Sequence, residues 1–320
     1  MSLSIIIPTF DSVDFFEELF QSIENNKFDK EFEVLIGIDN CEKTLEYLKD
    51  KEFPKNYFFY YFTENGGPYI IKNTLAEISK YENIFFFDSD DIMLDNLIDE
   101  IDKNLDKYDC VKPKFLNFKD YKGKRNYSDD GALYGEGVFG IKKDLFLSMN
   151  GFEGWKVAAD SDFMGRIYKF KRKINLTPDV LFHRRLHDNS LTRRKDTGYA
   201  SQMRAYFFSI SKNKKGGVIL DEMKKGEYQF LDLKTNTLTQ SVKQIETEEI
   251  DLARELKEKK HKLLESIFSG KPKTINETPQ PKTIDYTQVN RNTNHQTNKV
   301  LTTALKKAKL ENLNKNFGRR

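Results

Sequence analysis

The chain has 320 residues, of which 38% are apolar and 32% are charged, and its formal net charge is +3. This length is enough for one large domain with an extension or for two smaller domains. The two cysteines are too few for a disulfide framework, and no apolar run reaches the length of a transmembrane helix. The amino terminus also lacks the basic start of a signal peptide, so we expect a soluble, cytoplasmic protein.

The two ends of the chain differ in charge. Residues 211–320 contain 23 lysines and arginines against 14 acidic residues, whereas residues 1–210 contain 30 against 36. Apolar residues also become sparse late in the chain. We predict a packed catalytic domain over residues 1–210 and a basic, helical and partly disordered extension over residues 211–320. Within the extension, residues 247–268 predict an amphipathic helix and residues 271–298 a linker.

Apolar runs alternate with segments of helical periodicity, which is typical of an α/β protein. We predict a Rossmann-like, mostly parallel sheet with helices on both faces. The predicted strands are residues 3–10, 33–39, 57–62, 84–87, 110–118 and 138–141, with short strands at 174 and 180–182. The predicted helices are residues 14–23, 44–51, 69–80, 94–105, 143–149, 160–168 and 199–211. Residues 119–130 are polar and predict a loop.

An acidic cluster follows the strand predicted over residues 84–87. Asp88, Asp90 and Asp91 surround Ser89 just past the carboxyl end of that strand, where open α/β sheets bind ligands. Carboxylates this close together repel one another unless water or a cation neutralises them, and oxygen ligands suit Mg²⁺ or Mn²⁺. The alternative is a solvated turn or helix cap, and the cap is the favoured interpretation of Asp91. A metal ion bound by the acidic cluster would in turn neutralise the negative charge of a diphosphate group.

Several motifs together resemble those of family 2 glycosyltransferases, over about residues 3–195. The resemblance implies a GT-A fold, a nucleoside-diphosphate sugar as donor, usually a UDP sugar, a divalent metal, Mn²⁺ or Mg²⁺, and transfer with inversion. The motifs, in chain order, are residues 5–10, Asp39, Asn65-Gly66-Gly67 with Lys72-Asn73, Asp88-Ser89-Asp90-Asp91, the segment 135–151, residues 159–163 and residues 184–192.

The resemblance implies a metal site formed by Asp88, Asp90 and His187. Asp90 would bind the metal directly, and Asp88 would contact the ribose or a metal-bound water. His187 would be a further protein ligand, since neutral imidazole suits Mn²⁺ beside carboxylates. His183 is the competing histidine; its alternative is a hydrogen bond to the backbone at a strand end.

The resemblance also implies a set of donor-binding residues. Pro8 and Thr9 would lie against the nucleoside, and Asp39 would accept a hydrogen bond from the base. Lys72 and the basic run around Arg193 would contact phosphate; the alternatives are an exposed helix lysine and an ordinary charged surface. The full set is Pro8, Thr9, Asp39, Asn65, Gly67, Lys72, Asp88, Ser89 and Arg193.

Asp160 is the expected general base, and Asp162 is the second candidate for that role. The family motif there usually reads Glu-Asp, whereas this chain has Ala159 before Asp160. A carboxylate near the acceptor hydroxyl would remove its proton as the new bond forms. The alternatives are a helix cap for Asp160 and an ion pair between Asp162 and Arg166.

The acceptor is not identified by the sequence. A glycan such as a surface polysaccharide is the ordinary expectation, and a modified base in DNA is a less ordinary one. The basic extension suggests contact with nucleic acid or an anionic surface, and residues 247–268 suggest a homo-oligomer. A nucleotidyltransferase and a noncatalytic nucleotide-sugar-binding module are the alternatives. The first expects a glycine-rich loop after the first strand, where this chain has Pro8-Thr9-Phe10-Asp11.

Overall fold

A computed structural model describes residues 2–213 and 222–240. These residues fall into two compact units. The larger unit contains the described residues up to His187 and those from Phe207 onward, and the smaller unit contains Asp188–Tyr206. The helix predicted over residues 247–268 and the linker predicted over residues 271–298 lie outside the described residues.

Strands and helices alternate through residue 86, as expected, and a short strand at residues 92–93 then precedes the next helix. Among the residues described, no helix is long and apolar enough to cross a membrane. The strands are β1 (Leu3–Thr9), β2 (Phe32–Asp39), β3 (Tyr57–Phe62), β4 (Asn83–Phe86), β5 (Ile92–Met93), β6 (Cys110–Tyr121), β7 (Lys124–Tyr127), β8 (Leu133–Tyr134), β9 (Phe139–Lys142), β10 (Ile174–Arg185), β11 (Tyr228–Asp232) and β12 (Thr237–Gln240). The α-helices are α1 (Phe16–Glu24), α2 (Glu42–Lys49), α3 (Pro68–Ile78), α4 (Leu97–Leu105), α5 (Lys143–Ser148), α6 (Ala159–Lys169) and α7 (Gln202–Asn213).

The strands form one mixed sheet in the order β12-β11-β3-β2-β1-β4-β9-β6-β10-β5. The strands β3, β2, β1 and β4 are parallel, as predicted. However, β9 lies antiparallel between β4 and β6, so the sheet as a whole is mixed rather than mostly parallel. No helix connects β6 to β9, and a parallel pairing requires such a crossover. Because β9 is antiparallel to both β4 and β6, β6 runs in the same direction as β4. β10 is parallel to β6, so the carboxyl ends of β1 to β4, β6 and β10 lie at one edge.

Helices cover both faces of the sheet, which confirms that part of the fold prediction. Ile5 and Ile7 of β1 pack in one apolar cluster with α1, α2 and α4, whereas Ile6 packs in the other with α3, α5 and α6. All three isoleucines are fully buried, and each contributes about 1.5–3 kcal/mol to folding. The period of two along a strand therefore sets which helices each side chain meets.

A polar hairpin replaces the loop predicted over residues 119–130. Strand β6 continues to Tyr121, and β7 pairs back onto it after Lys122 and Gly123. Both turn residues have positive φ angles, 51° and 74°, as a two-residue hairpin turn requires. The sequence did not reveal this hairpin because charged side chains occupy both faces, so the apolar alternation typical of a strand is missing.

The short strands predicted at 174 and 180–182 are one long strand, β10. Its pairing with β6 is interrupted by register shifts around Val180, which explains why the apolar pattern looked broken. The strand ends at Arg185, so the chain reaches His187 at the edge where β1, β2 and β4 also end.

Residues 228–240 add two further strands beyond the predicted domain. β11 pairs antiparallel with β3, and β12 pairs with β11. The ring of Tyr228 lies edge-on to that of Tyr60, with ring centroids 5.4 Å apart. This pairing covers the aromatic edge that β3 would otherwise expose. The boundary at residues 210 and 211 remains a prediction.

Candidate functional site

The carboxyl edge of the sheet brings together most of the predicted site. Thr9 and Asp39 are the last residues of β1 and β2, and the acidic cluster begins two residues after β4. Asp91 is fully buried and does not cap a helix, because α4 begins only at Leu97. Its Oδ1 accepts the backbone N–H of Arg185 at 2.9 Å. The favoured interpretation of Asp91 as a helix cap was therefore wrong.

Asp90 and His187 meet across 97 positions of sequence. Asp90 Oδ2 lies 2.8 Å from His187 Nε2, and each side chain is 24% exposed. The imidazole ring also packs on Phe15, with ring centroids 4.8 Å apart. The parallel course of β4 and β10 explains the meeting, because both strands deliver their following residues to the same edge.

Arg185 holds the acidic cluster in place. Its Nε donates to the carbonyl oxygen of Asp90 at 2.9 Å, and its guanidinium also pairs with Glu18 and Asp120. The side chain is only 5% exposed, and its guanidinium carbon lies 4.7 Å from the centroid of the Phe118 ring. The positive charge of Arg185 is therefore used inside the protein.

Lys72 is buried rather than an exposed helix lysine. Its Nζ donates to Asp88 Oδ1 at 2.9 Å and to the carbonyl oxygen of Gly137 at 3.0 Å. The lysine side chain is 2% exposed and Asp88 is 43% exposed. A buried ammonium requires such partners.

Within residues 2–213 and 222–240, no three histidine, cysteine or acidic side chains converge as metal donors, so Asp88 does not complete the expected group with Asp90 and His187.

Asp160 and Asp88 both lie beside Gly137. A Cβ atom added at Gly137 would lie 3.3 Å from Asp160 Oδ2 and 3.8 Å from Asp88 Oδ2. Asp160 is half-buried in the first turn of α6, and its Oδ1 accepts the N–H of Ser161 at 2.8 Å. Ala158, just before that helix, has a left-handed φ of 67°, a strained conformation that is common at functional sites.

Asp162 forms the ion pair with Arg166 that was the alternative to a catalytic role. Its Oδ2 accepts from Arg166 Nε at 3.2 Å, and its Oδ1 accepts from Ser211 Oγ at 2.7 Å. Arg166 also donates to the carbonyl oxygens of Met149 and Gly151. Both ends of the ion pair are under a tenth exposed, which leaves Asp160 as the accessible carboxylate of the two.

A second buried ion pair near Asp160 was not predicted. Lys112 Nζ lies 3.1 Å from Glu136 Oε2, and the lysine side chain is 3% exposed. Burial raises the pKa of Glu136, and the nearby charge of Asp160 raises it further. No sequence signal indicated this pair, because the two residues lie on different segments that only the folded sheet brings together.

Asp39 binds the turn before α3. Its carboxylate accepts the backbone N–H of Gly66 at 2.9 Å and that of Gly67 at 3.0 Å, and Asn65 Nδ2 donates to its carbonyl at 3.2 Å. The φ of 87° at Gly67 is one that glycine adopts readily. Burial raises the pKa of Asp39 to about 6, against the lowering effect of these N–H groups and of Lys156. A carboxylate can still accept further hydrogen bonds.

The end of β1 carries a hydroxyl without a partner. Thr9 is 2% exposed, and its Oγ1 has no hydrogen-bond partner among the described residues. Pro8 is buried beside it, and Phe10 is 51% exposed. Ser89 Oγ donates to Ser12 Oγ at 2.9 Å, which links the acidic cluster to the loop after β1. Phe10 was not singled out from the sequence, although an aromatic residue after a strand end is a usable signal.

His183 and Trp155 both contact other aromatic side chains. His183 Nδ1 lies 3.1 Å from Tyr127 Oη, and burial lowers the pKa of His183. Trp155 stacks on Phe207, with ring centroids 4.9 Å apart and an interplanar angle of 18°. These contacts give both side chains partners within the protein.

Arg193 belongs to the smaller unit. There its backbone N–H donates to the carbonyl of Ser190 at 2.8 Å, and the neighbouring Arg194 pairs with Asp196 at 2.8 Å. The predicted contact of Arg193 with phosphate remains a prediction.

Comparisons with known proteins agree with this arrangement of elements. The chain is 35% identical over 124 residues to the uncharacterized glycosyltransferase MG060 of Mycoplasma genitalium, covering 35% of this chain and 40% of that protein. It is 32% identical over 156 residues to a poly(ribitol-phosphate) beta-glucosyltransferase of Bacillus spizizenii, covering 47% and 22%. The chain therefore spans less than half the length of these relatives.

Among solved structures, the mannosyltransferase PcManGT from Pyrobaculum calidifontis, in complex with GDP-Man and Mn²⁺, superposes with a TM-score of 0.50 at 16% identity. The match covers 65% of this chain and 64% of that one. S. aureus TarS 1-349 in complex with UDP gives a TM-score of 0.46 at 20% identity, covering 59% and 61%. The likeness to the mannosyltransferase shows a shared GT-A fold.

The family comparison covers the largest part of the chain. The model of the glycosyl transferase family 2 matches residues 4–211. This span is well over half of the sequence and contains β1 to β10, the acidic cluster and Asp160. The chain belongs to glycosyltransferase family 2.

Proposed function

We propose that the chain transfers a sugar from a nucleoside-diphosphate sugar, a UDP sugar, to an acceptor hydroxyl with inversion at the anomeric carbon. The observation that carries this proposal is the 2.8 Å approach of Asp90 and His187 at the carboxyl edge of the sheet. Open α/β sheets bind their ligands at this edge. Asp160 lies on the same edge, close to Asp88.

The nucleoside would lie against the ends of β1 and β2. The unpartnered Thr9 hydroxyl and the remaining lone pairs of Asp39 can bind the ribose or the base edge. The exposed ring of Phe10 offers a surface for stacking. The same fold accommodates a sugar nucleotide in the mannosyltransferase, which was solved with GDP-Man and Mn²⁺.

Asp90 and His187 would hold a divalent metal, Mn²⁺ or Mg²⁺. A carboxylate oxygen and an imidazole nitrogen are both suitable donors for Mn²⁺, and they lie together and partly exposed. Sites for such ions commonly use few protein donors together with substrate phosphates. When bound, the metal neutralises charge on the departing diphosphate. Lys72 adds a positive charge beside Asp88.

Asp160 would act as the general base. The acceptor oxygen attacks the anomeric carbon, the bond to the nucleoside diphosphate breaks, and that group leaves with the electron pair. The acceptor proton passes to Asp160 Oδ2, the oxygen that faces Gly137. Proton transfer of this kind accelerates reactions by about 10²–10⁴-fold. The contacts of Asp162 with Arg166 and Ser211 support Asp160 over Asp162 in this role.

The proposed acceptor class is a surface glycan, and one relative supports it. One of them is named for glucosylation of poly(ribitol-phosphate) and matches this chain over 156 residues. A cytoplasmic site of action is part of the proposal and rests on two free, buried cysteines, Cys41 and Cys110. Contact with nucleic acid through the extension and an oligomer through residues 247–268 remain predictions from the sequence.

A nucleotide-sugar panel tests the proposal. The purified chain is incubated with each donor and Mn²⁺, with and without a chelator, and the released nucleoside diphosphate is measured. We expect chelator-sensitive release from a UDP sugar. Asp160→Asn should keep donor binding and lose transfer, whereas Asp29→Asn, an exposed aspartate before β2, should behave like the parent. Release from no donor would overturn the proposal.

A further inference from the structure

The β6–β7 hairpin projects from the sheet beside the Asp90–His187 pair. We call residues 119–127 the hairpin arm; all of them are exposed. Phe118, at the base of the arm, pairs with Arg185, and its carbonyl accepts the N–H of Leu186 at 2.8 Å. His187 is the next residue. The base of the arm is therefore joined to the segment that carries the histidine.

One face of the arm is electrically balanced within the protein. Asp120 and Arg125 are directly opposite each other, so their side chains share a face. Asp120 pairs with Arg185, and Arg125 pairs with Glu18, which also pairs with Arg185. Two carboxylates thus meet two guanidinium groups. Because Arg185 also bonds the carbonyl of Asp90, this face anchors the arm to the acidic cluster.

The opposite face is basic and has no such partners. Lys119 lies opposite Asn126, and Tyr121 lies opposite Lys124. By the alternation of a strand these side chains point away from the anchored face. Lys122, in the turn, lies 5.2 Å from the Tyr121 ring. Tyr121 is 62% exposed. Among the described residues, none of the three lysines of the arm has a salt-bridge partner.

We propose that this basic face of the hairpin arm docks the acceptor, and that the acceptor is a polyanion made of polyol or sugar units joined by phosphodiesters. The inference rests on the proposed glycosyltransferase function. Lys119 is two residues from Tyr121, about 7 Å along β6, and Lys124 lies opposite Tyr121 on β7. A flexible chain with one charge in each repeat can contact several of the arm's ammonium groups, and the Tyr121 ring offers a face for the carbon skeleton of a polyol.

The chemistry of the arm favours this acceptor over two other polyanions. An anionic membrane would select apolar residues at the tip, and the turn is Lys122-Gly123. Single-stranded nucleic acid is usually held by several aromatic platforms, and Tyr121 is the only aromatic residue on the basic face of the arm. The arm also stands where β6 ends, on the far side of β4 from the nucleoside end of the site.

The test compares two triple charge reversals. The arm variant is Lys119→Glu, Lys122→Glu and Lys124→Glu. The matched control reverses three exposed lysines that precede β2 and β3, at the opposite edge of the sheet: Lys27, Lys51 and Lys55, each to Glu. The probe is a fluorescent synthetic ribitol-phosphate octamer, and its binding is followed by anisotropy without donor. Circular dichroism checks that both variants fold like the parent.

We expect the arm variant to bind the octamer on the order of tenfold more weakly than the parent, because three attractive charges become repulsive. The control variant should stay within about twofold, since its charges precede β2 and β3, whereas the site lies where those strands end. The affinity of the parent should fall with added salt. Tyr121→Ala should weaken binding with little change in salt dependence. UDP release without acceptor should be equal in all chains.

Three results would overturn the inference. The first is an arm variant that binds the octamer as well as the control does. The second is equally tight, arm-dependent binding of a DNA oligonucleotide with the same number of phosphates, which would indicate a general polyanion surface. The third is arm-dependent binding of phosphatidylglycerol vesicles that exceeds binding of the octamer. A parent chain that releases no UDP from any donor would instead count against the proposed function. The two failures are distinguishable, because octamer binding is measured without donor.

Discussion

Nucleoside affinity should depend on pH through Asp39. The pKa of this buried carboxyl is raised to about 6 in the folded protein. Only the ionised carboxylate is a pure acceptor for an N–H of a base. At about pH 5 roughly one tenth of the molecules carry that form, so we expect affinity to fall about tenfold between pH 7 and pH 5.

Uridine is the right ligand for this measurement, because it has no phosphate that titrates in the same range. Its dissociation constant would be measured by calorimetry from about pH 5 to pH 8. Asp39→Asn should bind uridine weakly and with no pH dependence, whereas Asp29→Asn should follow the parent. A parent affinity that is constant across the range would refute the coupling between Asp39 ionisation and nucleoside binding.

The ionisation of Asp39 should also make the free energy of unfolding depend on pH. Because the folded-state pKa of Asp39 lies above its usual value of 3.8, the folded protein binds this proton more tightly than the unfolded chain. The stabilisation that this bound proton contributes is complete below about pH 4 and is lost as the pH rises to about 6. A pKa difference of about 2 corresponds to about 3 kcal/mol. Urea unfolding of the parent and of Asp39→Asn should show the two curves diverging in this window; parallel curves would contradict it.

Three further substitutions test individual contacts. His187→Ala should lower affinity for Mn²⁺ by at least about tenfold in a turnover titration, since even the loss of a residue that only orients a ligand costs that much, and an unchanged metal requirement would contradict the assigned ligand. Lys72→Met should reduce the free energy of unfolding by about 1–2 kcal/mol in urea, a figure discounted because Asp88 is half exposed; no loss would argue against the ion pair. Gly137→Ala should reduce kcat by about tenfold with little change in the KM for donor, because the new methyl group crowds Asp160 Oδ2. An unchanged kcat would place Asp160 away from the chemistry.

The positions of Thr9, Asp39 and Asp88 at the carboxyl edge of the sheet were predictable because their signals are local. Thr9, Asp39 and Asp88 each end or follow an apolar run. A buried parallel strand needs such a run, and its carboxyl end must lie at the ligand-binding edge. The ion pair of Asp162 with Arg166 is also local, since residues four apart share one face of a helix. What remained open was which of two nearby acids stays accessible.

The hairpin arm and the buried ion pairs were not predictable in the same way. A polar hairpin has no apolar alternation to reveal it, and its register depends on its two-residue turn. The burial of Lys72 was not predictable because neither of its oxygen partners lies near it in sequence; one is 16 positions away and the other 65. Such pairs form only after the sheet has assembled.

The amino-acid sequence by itself determined the order of the elements, the two-faced burial of the strands and the family to which the chain belongs. These properties depend on hydrophobic period and on short motifs, which act within a few residues. The tertiary structure alone decided that β9 inserts between β4 and β6, that Asp88 pairs with Lys72, and that Asp90 reaches His187. Strand order sets those distances, and it results from the packing of the whole core.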